Sequence, residues 1–146
     1  MELLSLLQAG KASFIQVGAA AAQTDVDTDV LDMDGFDGVF FITAFGAIAA
    51  TATPRVTVHD SDTNVFGAAV TATSQTIGAT DDDKLVLHDL LRPKKRFLGV
   101  RVERDLVAAD STVDAIIAIQ YKARSQGVSQ AAAEVAASSA YIGAGN

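Results

Sequence analysis

Val39-Phe40-Phe41-Ile42-Thr43-Ala44-Phe45, closed by Gly46, is the run most strongly committed to one secondary structure. Aromatic and β-branched side chains suit a pleated strand, and glycine ends it. Apolar residues fill both alternating positions, so the strand is expected to be covered on both faces. A two-layer sandwich covers only one face of a strand with its own core. The other face, with Phe40 and Ile42, is therefore expected under a loop or a neighbouring subunit. That assigns Phe40 and Ile42 to self-association, in a homo-dimer or homo-trimer.

The segments on either side repeat the β pattern. Just before the run, Asp34-Gly35-Phe36-Asp37-Gly38 reads as a tight turn, with glycine supplying positive φ. Residues 55–60 alternate, with Val56 and Val58 on one face. Residues 84–88 follow an Asp81-Asp82-Asp83 turn. In 97–103, Leu98, Val100 and Val102 oppose Gly99, Arg101 and Glu103. In 112–121, Val113, Ala115, Ile117, Ile119 and Tyr121 share a face. Residues 65–70 and 74–77 are weaker strand candidates. The gaps are too short for crossover helices, so the expected fold is all-β, an antiparallel sandwich. The sandwich domain is placed at 25–124, after an N-terminal arm or first strand at 1–24. Residues 18–23, with four consecutive alanines, read as a loop or extended arm. Residues 125–146 form a low-complexity C-terminal arm with a short helix at 130–137. Tyr141 and Ile142 are its apolar anchor, expected to order against a partner.

Composition narrows the function. The 146 residues are 49% hydrophobic, with mean hydropathy +0.27, enough for a core without staples. The absence of cysteine excludes disulfides, zinc ribbons and thiol nucleophiles. No apolar run is long enough to be a membrane helix, and Leu3, Leu4, Leu6 and Leu7 are wrongly flanked for a signal peptide. Net charge −7 disfavours nucleic acid, yet residues 92–104 carry +5. Arg92, Lys94, Lys95 and Arg96 crowd one turn around Pro93. They read as a docking patch for an acidic surface or as a solvated turn whose charges offset nearby aspartates.

Six aspartates fall between Asp25 and Asp37, but the loop lacks glycine and glutamate where a calcium loop needs them. They are expected to be solvated, or to meet a basic partner or a cation; no metal ligand is assigned. His59 and His88 each stand beside an aspartate. Strand neighbours point to opposite faces, so neither makes a catalytic pair, and both read as plain strand-end residues. No P-loop and no dinucleotide fingerprint occurs. No enzyme, cofactor or small-molecule substrate is expected.

Three stretches together carry a resemblance. Leu31-Asp-Met-Asp-Gly-Phe-Asp-Gly-Val-Phe-Phe-Ile, Arg92-Pro-Lys-Lys-Arg-Phe-Leu-Gly-Val-Arg-Val-Glu-Arg and Ala115-Ile-Ile-Ala-Ile-Gln-Tyr-Lys-Ala-Arg resemble tailed-bacteriophage capsid decoration, or cement, proteins. The resemblance spans about residues 25–124. It implies a jelly-roll-like β-sandwich on the outside of the head, made in the host cytoplasm, bridging major capsid protein subunits. It also implies that Arg92, Lys94, Lys95, Arg96, Tyr141 and Ile142 face the capsid. The competing expectation is a carbohydrate- or receptor-binding jelly-roll module of a phage fibre. The lack of tryptophan and the presence of only Tyr121 and Tyr141 count against it.

Overall fold

In a computed structural model, residues 9–104 and 108–124 are described, together with Ser129 and Val135. The strands are β1 (Lys11–Gln16), β2 (Ala19–Ala22), β3 (Val26–Asp27), β4 (Leu31–Asp32), β5 (Phe36–Ile48) and β6 (Arg55–Ser61). They continue with β7 (Ala68–Ala69), β8 (Gln75–Thr76), β9 (Leu85–Leu91), β10 (Phe97–Glu103) and β11 (Ser111–Ala123). All pairings are antiparallel. The first sheet runs β1-β11-β5-β9 with β2 also on β11. The second runs β3-β10-β6-β7, with β4 on β10 and β8 on β6. With β1/β2, β3/β4 and β7/β8 taken as interrupted single strands, successive strands switch sheets at every step except β6 to β7/β8, which are neighbours in the second sheet. This is the double Greek-key winding of a jelly roll. Among the described residues, the only helical turns between strands are Thr71–Thr73 and Ala79–Asp81, both 3-10.

The core lies between the sheets. Val39, Phe41 and Phe45 of β5 meet Val56, Val58, Leu98, Val100 and Val102, all at most 2% exposed. Gly35 turns the chain into β5 at φ +86°, a conformation that needs glycine. Gly38 serves a different purpose. The Tyr121 ring lies over it, and a Cβ there would come within 2.3 Å of that ring.

Several local expectations change. Residues 19–22 are strand β2, held by β11, not a free arm. The weaker candidates shrink to two-residue strands, β7 and β8. His59 and His88 sit mid-strand and buried, not at strand ends. On β11 a register shift between Val113 and Ala115 breaks the expected common face. Val113 points into the core with Ile116, Ala118 and Gln120. Ala115, Ile117, Ile119 and Tyr121 end up on the outside. A bulge inserts one residue, and one residue flips every later side chain.

Candidate functional site

Two surfaces carry the residues singled out in the sequence. The first is the turn between β9 and β10. Arg92 takes φ +53° there, and Pro93 follows. Charge is compensated within the chain more fully than the sequence implies. Lys95 lies 3.6 Å from Asp60 and 3.9 Å from Asp62. Arg96 makes a two-pronged bond to Asp32, at 2.7 and 2.8 Å, and reaches Asp34 at 3.5 Å. Arg101 grips Asp27 through two 2.6 Å bonds, and Arg124 meets Asp37 at 3.0 Å. The register explains this pattern. β3 and β4 lie antiparallel along β10, with Asp27 opposite Arg101 and Asp32 opposite Phe97, beside Arg96. The aspartate stretch is thus the counter-charge of the basic strand in the same chain.

The Arg96 guanidinium holds the Asp32 carboxyl below its ordinary range, helped by the Asp34 N–H. Arg104 is not a surface cation at all. It is 6% exposed and donates to the carbonyls of Thr24 (2.6 Å), Ala20 (2.8 Å) and Ser111 (2.7 Å). Burial lowers its pKa, and the charges of Asp25 and Asp110 oppose that shift. Arg92 and Lys94 remain exposed, without an ion pair among the described residues. Lys94, Lys95, Arg96, Arg124, Met33 and Phe36 border a shallow depression of about 200 Å³ beside this turn.

The second surface is the outer face of the first sheet. Four strands contribute to it in matched rows. Phe14 lies across from Ile117, Ile117 across from Ile42, and Ile42 across from Leu87. Beside them run Ile119 with Phe40, and Ala44 with Leu85. Phe40 and Ile42 are half-buried at the centre, among their row neighbours. The row is open at its ends: Phe14 is 41% exposed, and Leu85, Leu87 and Leu91 are 57, 51 and 53% exposed. A contiguous apolar patch of this kind marks an association surface more often than a bare monomer surface. The Tyr121 hydroxyl donates to Asp89 across Gly38, and that bond pushes the phenol pKa up to about 12. Leu85, Leu87, Leu91 and Phe14 were not singled out in the sequence. The signal was present, since Leu85 and Leu87 alternate with Val86, leaving both faces of β9 apolar.

The histidines are held in structural bonds. His59 Nδ1 lies 2.9 Å from the Gly67 carbonyl, with the Phe66 ring 4.8 Å away. His88 Nε2 donates to the Thr73 carbonyl at 2.7 Å, which leaves Nδ1 buried without a partner. Burial lowers the His88 pKa. Asp89 points to the opposite face from His88, so these two neighbours do not pair. Among the described residues, no group of three or more histidine, aspartate or glutamate side chains converges as a metal site would require. Tyr141 and Ile142 lie outside the described residues, as do the expected helix at 130–137 and most of the C-terminal arm.

No family model matches the chain, and no curated protein matches it. Among solved structures, one described as "Bacillus endospore appendages form a novel family of disulfide-linked pili" superposes with a TM-score of 0.49 at 13% identity. The match covers 84% of this chain and 97% of that one. None of the 146 residues here is a cysteine, so the disulfide linkage in that description has no counterpart in them.

Proposed function

We propose that this chain is a structural virion protein that decorates the outside of a tailed-phage head and cements neighbouring major capsid subunits. The observation that carries the reading is the outer face of the first sheet. It presents Phe14, Ile42, Leu85, Leu87, Leu91, Ile117 and Ile119 on one continuous surface. Covering what remains exposed of Phe14 and the three leucines contributes about 1 kcal/mol each. That is little for one copy, but many copies on one lattice add avidity. Binding the assembled shell in preference to free subunits then stabilises the shell by linkage.

The turn supplies steering. Arg92 directly follows Leu91, so the free cations Arg92 and Lys94 border the apolar face at its β9 end. Rim charges of this kind set association rate and salt dependence more than final affinity. Lys95 and Arg96, held by aspartates of their own chain, shape the turn rather than reach outward. Co-sedimentation of the purified protein with empty expanded heads tests the reading. Saturable binding, weakened when Ile42 is replaced by Asp, is expected. Heads that stay bare at tens of micromolar protein overturn it.

A further inference from the structure

β9 has a strand partner on one side only. Arg92 N–H donates to Asp37 O at 2.6 Å, and Phe45 N–H donates to Lys84 O at 3.0 Å. These two bonds fix the parity of the β5–β9 ladder. In alternation, Val86, His88 and Leu90 face β5 with their backbone groups. The N–H and C=O groups of Leu85, Leu87, Asp89 and Leu91 therefore point away from the sheet. No strand lies there among the described residues.

Sheet edges are normally guarded, and the other edges of this fold are. β1 carries Lys11 and a register shift between Phe14 and Gln16. The second sheet ends in the two-residue strands β3, β4, β7 and β8. By contrast, β9 is seven residues long and in unbroken register. It has no lysine, proline or bulge, and three half-exposed leucines line its outer face.

We infer that β9 pairs antiparallel with β9 of a second copy, about a twofold axis through His88. The register follows from the residues. Centring on His88 sets Leu85 opposite Leu91 and Leu87 opposite Asp89, twice over, and all four edge-facing residues are then paired. Centring on Leu87 leaves Leu91 out. Centring on Asp89 sets two carboxylates directly opposite, which is destabilising. A pairing of this kind consumes both open edges, so assembly closes at the dimer instead of growing into a fibre. It also joins two outer faces into one apolar surface of twice the width. The inference stands on the strand edge, independently of what that surface binds.

Two substitutions test it in the full chain. Leu87→Pro removes an edge-facing N–H and no bond to β5. Leu87→Lys keeps every backbone bond and places a charge at the edge. Phe14→Ser, on the far side of the sheet, is the control for association through the face. Light scattering at tens of micromolar should find a dimeric parent and a dimeric Phe14→Ser. The two Leu87 variants should show an unchanged circular dichroism spectrum and a dimer dissociation constant raised about tenfold or more. If Leu87→Pro does not fold, Leu87→Lys decides. A monomeric or trimeric parent, a Leu87→Lys variant as dimeric as the parent, or loss of the dimer in Phe14→Ser overturns the pairing. Head binding measured on the same samples separates the two claims, since a monomer that still decorates heads removes the pairing alone.

Discussion

Replacing Arg104 by Met distinguishes a structural cation from a docking one. The side chain is 6% exposed, and its guanidinium serves three backbone carbonyls: Thr24 at 2.6 Å, Ala20 at 2.8 Å and Ser111 at 2.7 Å. These tie the segment around β2 to the start of β11. Methionine keeps much of the apolar stem but offers no donor. A hydrogen bond from a charged group contributes about 1.5–3 kcal/mol, and an orphaned buried carbonyl costs in the same range. The three act as one network, so simple addition overstates the loss, and about 3–5 kcal/mol is expected. That is a large part of the roughly 5–15 kcal/mol typical of a domain. Urea unfolding followed by circular dichroism reads it directly, as a midpoint shift at constant slope. A loss below about 1 kcal/mol would show that Arg104 is dispensable to the fold and free to belong to the docking turn.

The two exposed cations should behave in the opposite way. Arg92→Ala with Lys94→Ala should leave the melting temperature within about 2 °C of the parent, while head occupancy falls at low ionic strength and loses its salt response. An unchanged salt response assigns the turn to solvent alone. His88 gives a pH prediction with a definite sign. Burial sets its folded pKa below the ordinary histidine value of about 6.5, so the unfolded chain takes up the proton first. Stability is then complete above about pH 6.5 and falls as pH drops below it, by at most about 1.4 kcal/mol per pH unit. His88→Gln should flatten that slope between pH 7.5 and 5, as melting curves would record; an equal slope in parent and variant contradicts the assignment. The lowered Asp32 pKa acts in a separate, more acidic window, losing its contribution as pH falls through the carboxylate range.

What could be read in the sequence was local. Leu98, Val100 and Val102 against Gly99, Arg101 and Glu103 gave β10 its faces correctly, whereas of the turn read at 34–38 only Asp34-Gly35 is a turn, since β5 already begins at Phe36 and runs through Gly46 to Ile48. The failures share a cause, since each depended on a partner distant in sequence. Four alanines at 19–22 carry no strand signal of their own; β11 makes them a strand. In 112–121, Ile116 and Ala118 match Ile117 and Ile119 in apolarity, so alternation could not reveal the shift at Val113 that selects the inner face. Gln120 and His88 are polar residues without an apolar signal, yet both are buried, with bonds to the Asp32 and Thr73 carbonyls. The basic turn stayed open between a docking patch and a turn offset by nearby aspartates because the partners of Lys95 and Arg96, Asp60 and Asp32, lie tens of residues away in sequence.

In the proposed decoration role, the outer face of the first sheet meets a phage shell. Cryo-electron microscopy of empty expanded heads incubated with the purified protein tests it most directly. Added density on the shell exterior is expected to fit the jelly roll, with Ile42 and Leu87 turned toward the shell and Arg92 and Lys94 at the rim of the contact. A bare shell, or a bound sandwich with that face turned to solvent, would contradict it.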